Sequence, residues 1–201
     1  MSKESSMSKE SYMSKMSATK KSDARVRYTK RVIKESFLSL LKVKPVNKIT
    51  VKEVCEKAEL NRATFYAHYS DCFALLESIE QEILDDFSAS LKLINSFDVT
   101  GLIEGIYEMV KMNQEACEIL IFSDRSPSLL GRMIALARKD SILAWKKQLP
   151  HASRDDLEML YTHLSNGLMH VVVDGYKKYK KDDIIRFVNS MVSCSLEVFE
   201  G

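Results

Sequence analysis

Residues 49–69 read ITVKEVCEKAELNRATFYAHY. Thr50 is a good N-cap, and Glu53, three residues on, can reach back to close a capping box. Val51, Val54, Cys55 and Ala58 then recur at i, i+3, i+4 and i+7, the buried face of a short helix. Glu59, Leu60 and Asn61 form a tight connector, and Asn61 can cap a second helix from Arg62 to about Tyr69. Two short helices joined by so tight a turn match the helix-turn-helix, whose second helix enters the DNA major groove.

Phe65 and Tyr69 are four apart and can point inward together. Asn61, Arg62, Thr64, Tyr66 and His68 are left outside, hydrogen-bonding side chains with no acid among them. Thr, Tyr and Arg suit phosphate oxygens, and Arg or Asn can also read base edges.

The run ITVKEVCEKAELNRATFYAHYSD resembles the TetR/AcrR family of bacterial transcriptional regulators. The resemblance is carried by Ile49-Thr50-Val51, by Thr64-Phe65-Tyr66-Ala67-His68-Tyr69 and by Asp71 as the cap of the next helix; it is strong over about residues 25–85 and loose beyond. The 45–76 region is also similar to regulators of dihydroxyacetone-kinase operons, a subgroup that activates. The resemblance implies an all-α fold of about nine helices. It implies an N-terminal three-helix head over 25–71 with the motif at about 50–69, and a ligand-binding and dimerisation body over 72–201. The candidate DNA contacts are Lys48, Thr50, Asn61, Arg62, Ala63, Thr64, Tyr66 and His68. Three departures matter. Glu59 stands where the family has a turn glycine, so a non-glycine residue faces an unfavourable backbone angle. Tyr69 replaces a common Phe. Cys72 replaces a phosphate-touching Lys, so that contact is expected to be absent.

Composition agrees with an all-helical chain: 201 residues, 45% hydrophobic, six Gly and three Pro. Net charge is only +2, but it is unevenly placed. Residues 1–69 hold 16 Lys/Arg against 7 Asp/Glu, and residues 70–201 hold 14 against 21. Without residues 1–24 the front still carries 11 Lys/Arg against 4 acids. A basic front and an acidic body suit a protein that meets a polyanion with one end. The four Cys (55, 72, 117, 194) have no metal-ligand spacing, which fits a reducing cytoplasm. No apolar run reaches the ~18 residues of a membrane span, and the polar N-terminus is not a secretory signal.

Residues 1–24, with MSK at 1, 7 and 13, are a Ser- and Lys-rich leader expected to lack regular structure. Met1, Met7, Met13 and Met16 are four candidate starts. Helix 1 is expected from about Thr29 to Val43, with Ile33, Phe37, Leu40 and Leu41 inward. A long helix from Cys72 to about Asn95 carries Leu76, Ile79, Ile83, Phe87, Leu91 and Ile94 on one stripe. At 1.5 Å per residue it spans about 35 Å and could join head to body. Further helices follow over 99–113, 115–122 and 129–149, with a turn around Pro127. Ser153 caps a helix with Leu157, Leu160, Tyr161, Leu164, Leu168 and Val171 inward. Asp182 starts the last, with Ile185, Val188, Val192, Leu196 and Phe199. Met159, Val172, Val173, Ile184, Met191 and Cys194 lie off these stripes. The resemblance implies that the two C-terminal helices, about 153–200, pair with their mates in a homodimer, and that a small-molecule effector sits among helices 4 to 8. Tyr107, Phe122, Met133, Trp145 and His170 are the candidate lining residues.

No Ser/His/Asp grouping, phosphate-cradling Gly loop or HExxH pair is present, so no catalytic residue, cofactor or metal is assigned. His163 and His170 are seven apart on one helix, about 10 Å along its axis, too far to share an ion unaided. Cys72 at a helix N-terminus could have a lowered pKa. The chain therefore reads as a DNA-binding regulator, in the first place a repressor that acts as a homodimer on a palindromic operator and is released by an effector. An activator of the same family and a helical adaptor without DNA are the alternatives.

Overall fold

The computed structural model describes residues 4–92, 97–123, 125–197 and 199, with residues 4–22 described by backbone alone. Among these residues the chain is helical throughout, with nine α-helices and no strand: α1 (Glu4–Leu41), α2 (Val51–Lys57), α3 (Arg62–Tyr66), α4 (Cys72–Leu91), α5 (Thr100–Met112), α6 (Gln114–Leu120), α7 (Pro127–Gln148), α8 (Arg154–Gly175) and α9 (Lys181–Glu197). No helix among them is long and apolar enough to cross a membrane. The chain divides into two compact units, Met1–Leu76 and Glu77–Gly201, with the division falling inside α4.

In the first unit, α1 packs on α2 and α2 on α3. Ile33, Phe37, Leu38 and Leu41 of α1 are buried, with Val54, Cys55, Ala58, Phe65, Cys72 and Leu75. Leu40, expected inward, is only half-buried, and Leu38 takes its place. Helix 1 starts at Glu4 rather than near Thr29, so the leader expected to lack structure is helical from residue 4. Its Lys, Glu, Met and Ala are good helix formers, and no Gly or Pro interrupts residues 4–41. Extending an existing helix also avoids the unfavourable nucleation step.

In the second unit, α7 packs on α8, α8 on α9, and α5 on α6 and α9. Its core includes Ile79, Ile83 and Phe87 of α4, together with Ile103, Leu120, Leu129 and Met133. Gly105 allows α5 close to α4: a Cβ there would meet Ser90 Cβ at 2.6 Å. Polar ties cross the helices. Glu80 accepts from Ser126 Oγ at 2.5 Å and from Arg132 Nη1 at 2.6 Å. Asn113 donates to Asp86 at 2.7 Å, and Asn189 Oδ1 accepts from the Val99 amide at 3.1 Å. Pro127 opens α7 at its first turn rather than making a loop, because its missing N–H would be unpaired there anyway. Ser153 caps α8 with a full capping box closed by Asp156. The expected continuation of helix 4 through Ile94 to Asn95 lies outside the described residues.

Candidate nucleic-acid interface

The motif is built from three local devices. Thr50 and Glu53 form the expected capping box: the Glu53 amide donates to Thr50 Oγ1 at 3.3 Å, and the Thr50 amide donates to Glu53 Oε2 at 2.9 Å. Lys44 Nζ adds an ion pair to Glu53 Oε1 at 2.5 Å. That Lys44 bond first, and the Thr50 amide and hydroxyl after it, hold the Glu53 carboxyl down to about 2. A lowered carboxyl pKa stabilises the fold above the ordinary value of 4.5 and loses that contribution as pH falls from there toward 2. Wild type should therefore melt above Glu53→Gln at pH 6, and the gap should close by pH 2. A gap unchanged across that range would show that the cap does not depend on charge.

The second device ends α2. Leu60 N–H donates to Cys55 O at 2.9 Å and Glu59 N–H to Glu56 O at 3.4 Å, the paired bonds of a Schellman turn. The left-handed residue this turn requires is Glu59, at φ 53°, the only positive-φ non-glycine among the described residues. A side chain is strained there and glycine is not. Glu59→Gly should therefore raise stability, by about 0.5–1 kcal/mol once the greater freedom of an unfolded glycine is set against the relieved strain. A lowered midpoint in urea would contradict this.

The third device starts α3. Asn61 Oδ1 accepts from the Thr64 amide at 2.7 Å and from Thr64 Oγ1 at 2.9 Å. The Asn61 carbonyl is thus engaged, and its NH2 group is the part left for a ligand. Helix α3 is five residues long, ending at Tyr66 rather than Tyr69. His68 N–H and Tyr69 N–H both return to Phe65 O, at 2.9 and 3.0 Å, tightening the chain into a turn. Asp71 then caps α4, accepting from the Ala74 amide at 2.8 Å as expected.

The outer side of this motif is open. Lys48, Thr50, Asn61, Arg62, Ala63 and Tyr66 are exposed, while Thr64 and His68 are half-buried. Phe65 alone of α3 is fully buried, and Tyr69, expected inward beside it, is half-buried against it at 5.9 Å between rings. Arg62 makes no ion pair among the described residues. The Thr50 anchor is more restricted than the sequence suggests, since the capping box already binds its amide and hydroxyl. Cys72 departs from expectation: burial pushes its thiol up to about 11, and neighbouring Asp71 adds to this. It is an inert core thiol, and it is closed to a phosphate.

The five candidate effector residues do not come together. Met133 and Trp145 line one apolar cavity of the second unit. Tyr107 and Phe122 instead pack on Tyr176, at 4.8 and 5.1 Å between ring centroids. His170 is exposed on α8, its Nδ1 2.9 Å from Asn166 O. The cavity's other aromatics, Phe87, Phe97 and Tyr161, are not among the candidates; the sequence places Phe87 and Tyr161 on inward stripes of ordinary core. No cluster of His, Cys, Asp and Glu fit for a metal occurs among the described residues. Of the apolar residues expected on the dimer face, Met159, Met191 and Cys194 are exposed and Val173 is half-buried. Val172 and Ile184 are buried, because one turn of each helix faces the other across α8 and α9.

No protein-family model matches the chain. Over 59 residues it is 34% identical to the uncharacterized HTH-type transcriptional regulator YxbF of Bacillus subtilis (strain 168), a match covering 29% of this chain and 16% of that protein. The chain thus spans less than a fifth of the curated relative's length. Two solved structures share the fold. The dihydroxyacetone kinase operon activator DhaS superposes with a TM-score of 0.57 at 14% identity, covering 85% of this chain and 97% of that one. A structure described as a TetR-family transcriptional regulator from Mesorhizobium loti MAFF303099 superposes with a TM-score of 0.53 at 18% identity, covering 87% and 98%. In helix order and by these superpositions the chain has a fold similar to that of a TetR-family regulator structure.

Proposed function

We propose that the chain is a transcriptional regulator that binds double-stranded DNA as a homodimer. The observation that carries this reading is the α3 surface: an exposed face with Asn61, Arg62 and Tyr66 and no acid, on a motif with a basic surround. One such helix reads only about four base pairs. Two, held about 34–36 Å apart, read a palindrome on one face of the duplex. Exposed apolar residues on α8 and α9, Met159, Phe187 and Met191, support pairing through about 153–200. A small molecule held in the second unit would favour a dimer state with lower DNA affinity, and a differential affinity of a few kcal/mol suffices. Such a protein works in the cytoplasm and needs no cofactor.

Repression is the reading we favour. The DhaS likeness gives one reason to keep the opposite sign in view, since that protein is named an activator. The test is gel-shift affinity against salt, followed by selection of bound sequences from random DNA. Each phosphate neutralised should contribute about −0.9 to the log–log slope. The selected sites should be palindromic. An adaptor protein would retain no DNA even at low salt, and a consensus without two-fold symmetry would overturn the dimer.

A further inference from the structure

Within the Glu77–Gly201 unit, the apolar cavity has a chemistry of its own. It holds about 60 Å³, and its wall includes Phe97, Met133, Trp145, Tyr161, Ser165 and Met169, with no charged side chain among its described lining residues. A water takes about 30 Å³ in the liquid, so the cavity as it stands has room for about two. A cavity that takes benzene holds roughly 150 Å³, so one ring enters here only as the flexible Met133 and Met169 side chains move aside. A carboxylate or ammonium entering it would lose its hydration without a counter-charge.

The wall favours a flat guest. Phe97 stacks on Trp145 at 5.3 Å and 26°, and Tyr161 leans on the same indole at 5.7 Å and 49°. Aromatic corners of this kind prefer offset or edge contacts with another ring, and the Met133 and Met169 thioethers suit ring edges. The polar atoms are few. Tyr161 Oη donates to Ile134 O at 2.6 Å, and burial pushes its pKa to about 12, so it is engaged and neutral. Ser165 Oγ lies near that phenol but is buried without a hydrogen bond of acceptable geometry. A buried hydroxyl left without a partner is unfavourable, and a guest that supplies one removes the penalty.

We infer that this cavity takes a small, uncharged, planar ligand: an aromatic ring with one hydroxyl or carbonyl, set in the Phe97, Trp145 and Tyr161 corner and hydrogen-bonded to Ser165. The inference rests on the reading of the second unit as the effector-binding part of a regulator.

Trp145 is the chain's single tryptophan and lines this cavity; it also borders a pocket with Lys92 and Asp140, so the response to Ser165→Ala is what assigns the signal to this one. The full chain is titrated with phenol, toluene and benzoate. Phenol should change the emission saturably and bind at least about tenfold more tightly than benzoate. Ser165→Ala should weaken phenol about 2- to 10-fold, the range of one hydrogen bond, and leave toluene unchanged. Ala137→Leu should fill the cavity and weaken both, with circular dichroism confirming the fold. Ser165→Ala removes one oxygen, and it keeps the test decisive if the larger variant fails to fold. Benzoate binding as tightly as phenol, or phenol indifferent to Ser165→Ala, overturns the inference. A parallel gel shift separates the two readings. DNA retention without phenol binding overturns the ligand class and leaves the regulator standing; phenol binding without DNA retention supports the ligand class and removes the regulator.

Discussion

Phe65→Ala is expected to destabilise the first unit by about 3–5 kcal/mol and to abolish DNA binding. Helix α3 has five residues, and Phe65 is the only one of them that is buried, at 0% exposure. A helix this short has almost no stability of its own, because the nucleation penalty is not recovered in one turn. It exists because the Asn61 cap fixes one end and the Phe65 ring anchors the middle. That ring also meets Tyr66 edge-on at 5.7 Å and 88°, and Tyr69 at 5.9 Å, so its loss frees both neighbours. Set against the ~5–15 kcal/mol that holds a domain folded, the loss is large. Urea melts followed by far-ultraviolet circular dichroism would measure it. Trp145 lies in the other unit and makes tryptophan emission an independent control. Phe65→Leu, which keeps a large apolar group, should lose much less. A Phe65→Ala midpoint indistinguishable from wild type would mean that something other than this ring holds α3.

The head was legible because its signals are local. Thr50, Glu53, Asn61 and Asp71 each bind an amide three residues away, so spacing alone identifies three caps and the Glu53 that closes the first, and all four bond as expected. The strained turn was marked by the resemblance, in which Glu59 stands where the family has a turn glycine. A Schellman ending needs one left-handed residue, and Glu59 occupies that place at φ 53°. The end of α3 was not readable in the same way. Phe65 and Tyr69 satisfy a helical spacing, but the chain must tighten after Tyr66 to bring Asp71 to the start of α4. That demand comes from the next element and leaves no mark on the periodicity.

The body's helices were visible and their partners were not. The apolar stripes of α5, α8 and α9 identify which residues are inward, but which cavity each aromatic faces depends on crossings between helices distant in sequence. Trp145 and Tyr161 lie on α7 and α8, and Phe97 precedes α5, yet the three share one corner. Tyr107 and Phe122 are similar residues, half-buried, and they pack on Tyr176 instead. Val172 and Ile184 show the same limit: off-stripe by spacing, they are buried because α8 and α9 meet there. Side-chain type and periodicity cannot separate these cases, whereas a buried orphan such as Ser165 Oγ emerges only from three-dimensional packing.

Arg62→Ala is expected to weaken operator binding by about 1–3 kcal/mol, roughly 5- to 150-fold, and to relax base preference at one position of each half-site. Arg62 is the first residue of α3, exposed and without an ion-pair partner among the described residues, so its fork of donors is unoccupied. A bidentate contact to guanine is the commonest use of such a group in the major groove. Tyr66→Phe serves as the contrast. Tyr66 is 56% exposed, and its hydroxyl suits one phosphate oxygen. Its loss should weaken all sequences alike, by the few-fold of a single hydrogen bond. Neither change should move stability by more than about 0.5 kcal/mol, since both side chains lie on the surface. The two roles separate only when affinity is measured on both a selected site and its point variants. The ratio between them should fall for Arg62→Ala and hold for Tyr66→Phe. Were Arg62→Ala to leave affinity and the ratio intact, the base-reading role would pass to the half-buried Thr64 or to the NH2 of Asn61. The Thr64 hydroxyl already donates to Asn61 Oδ1, so it would compete with its own cap bond, whereas the Asn61 NH2 would read a base with the cap intact. An engaged hydroxyl, or an amide NH2 whose carbonyl is taken, cannot make the two-point contact that a free arginine fork makes to guanine, which is why the first assignment is preferred.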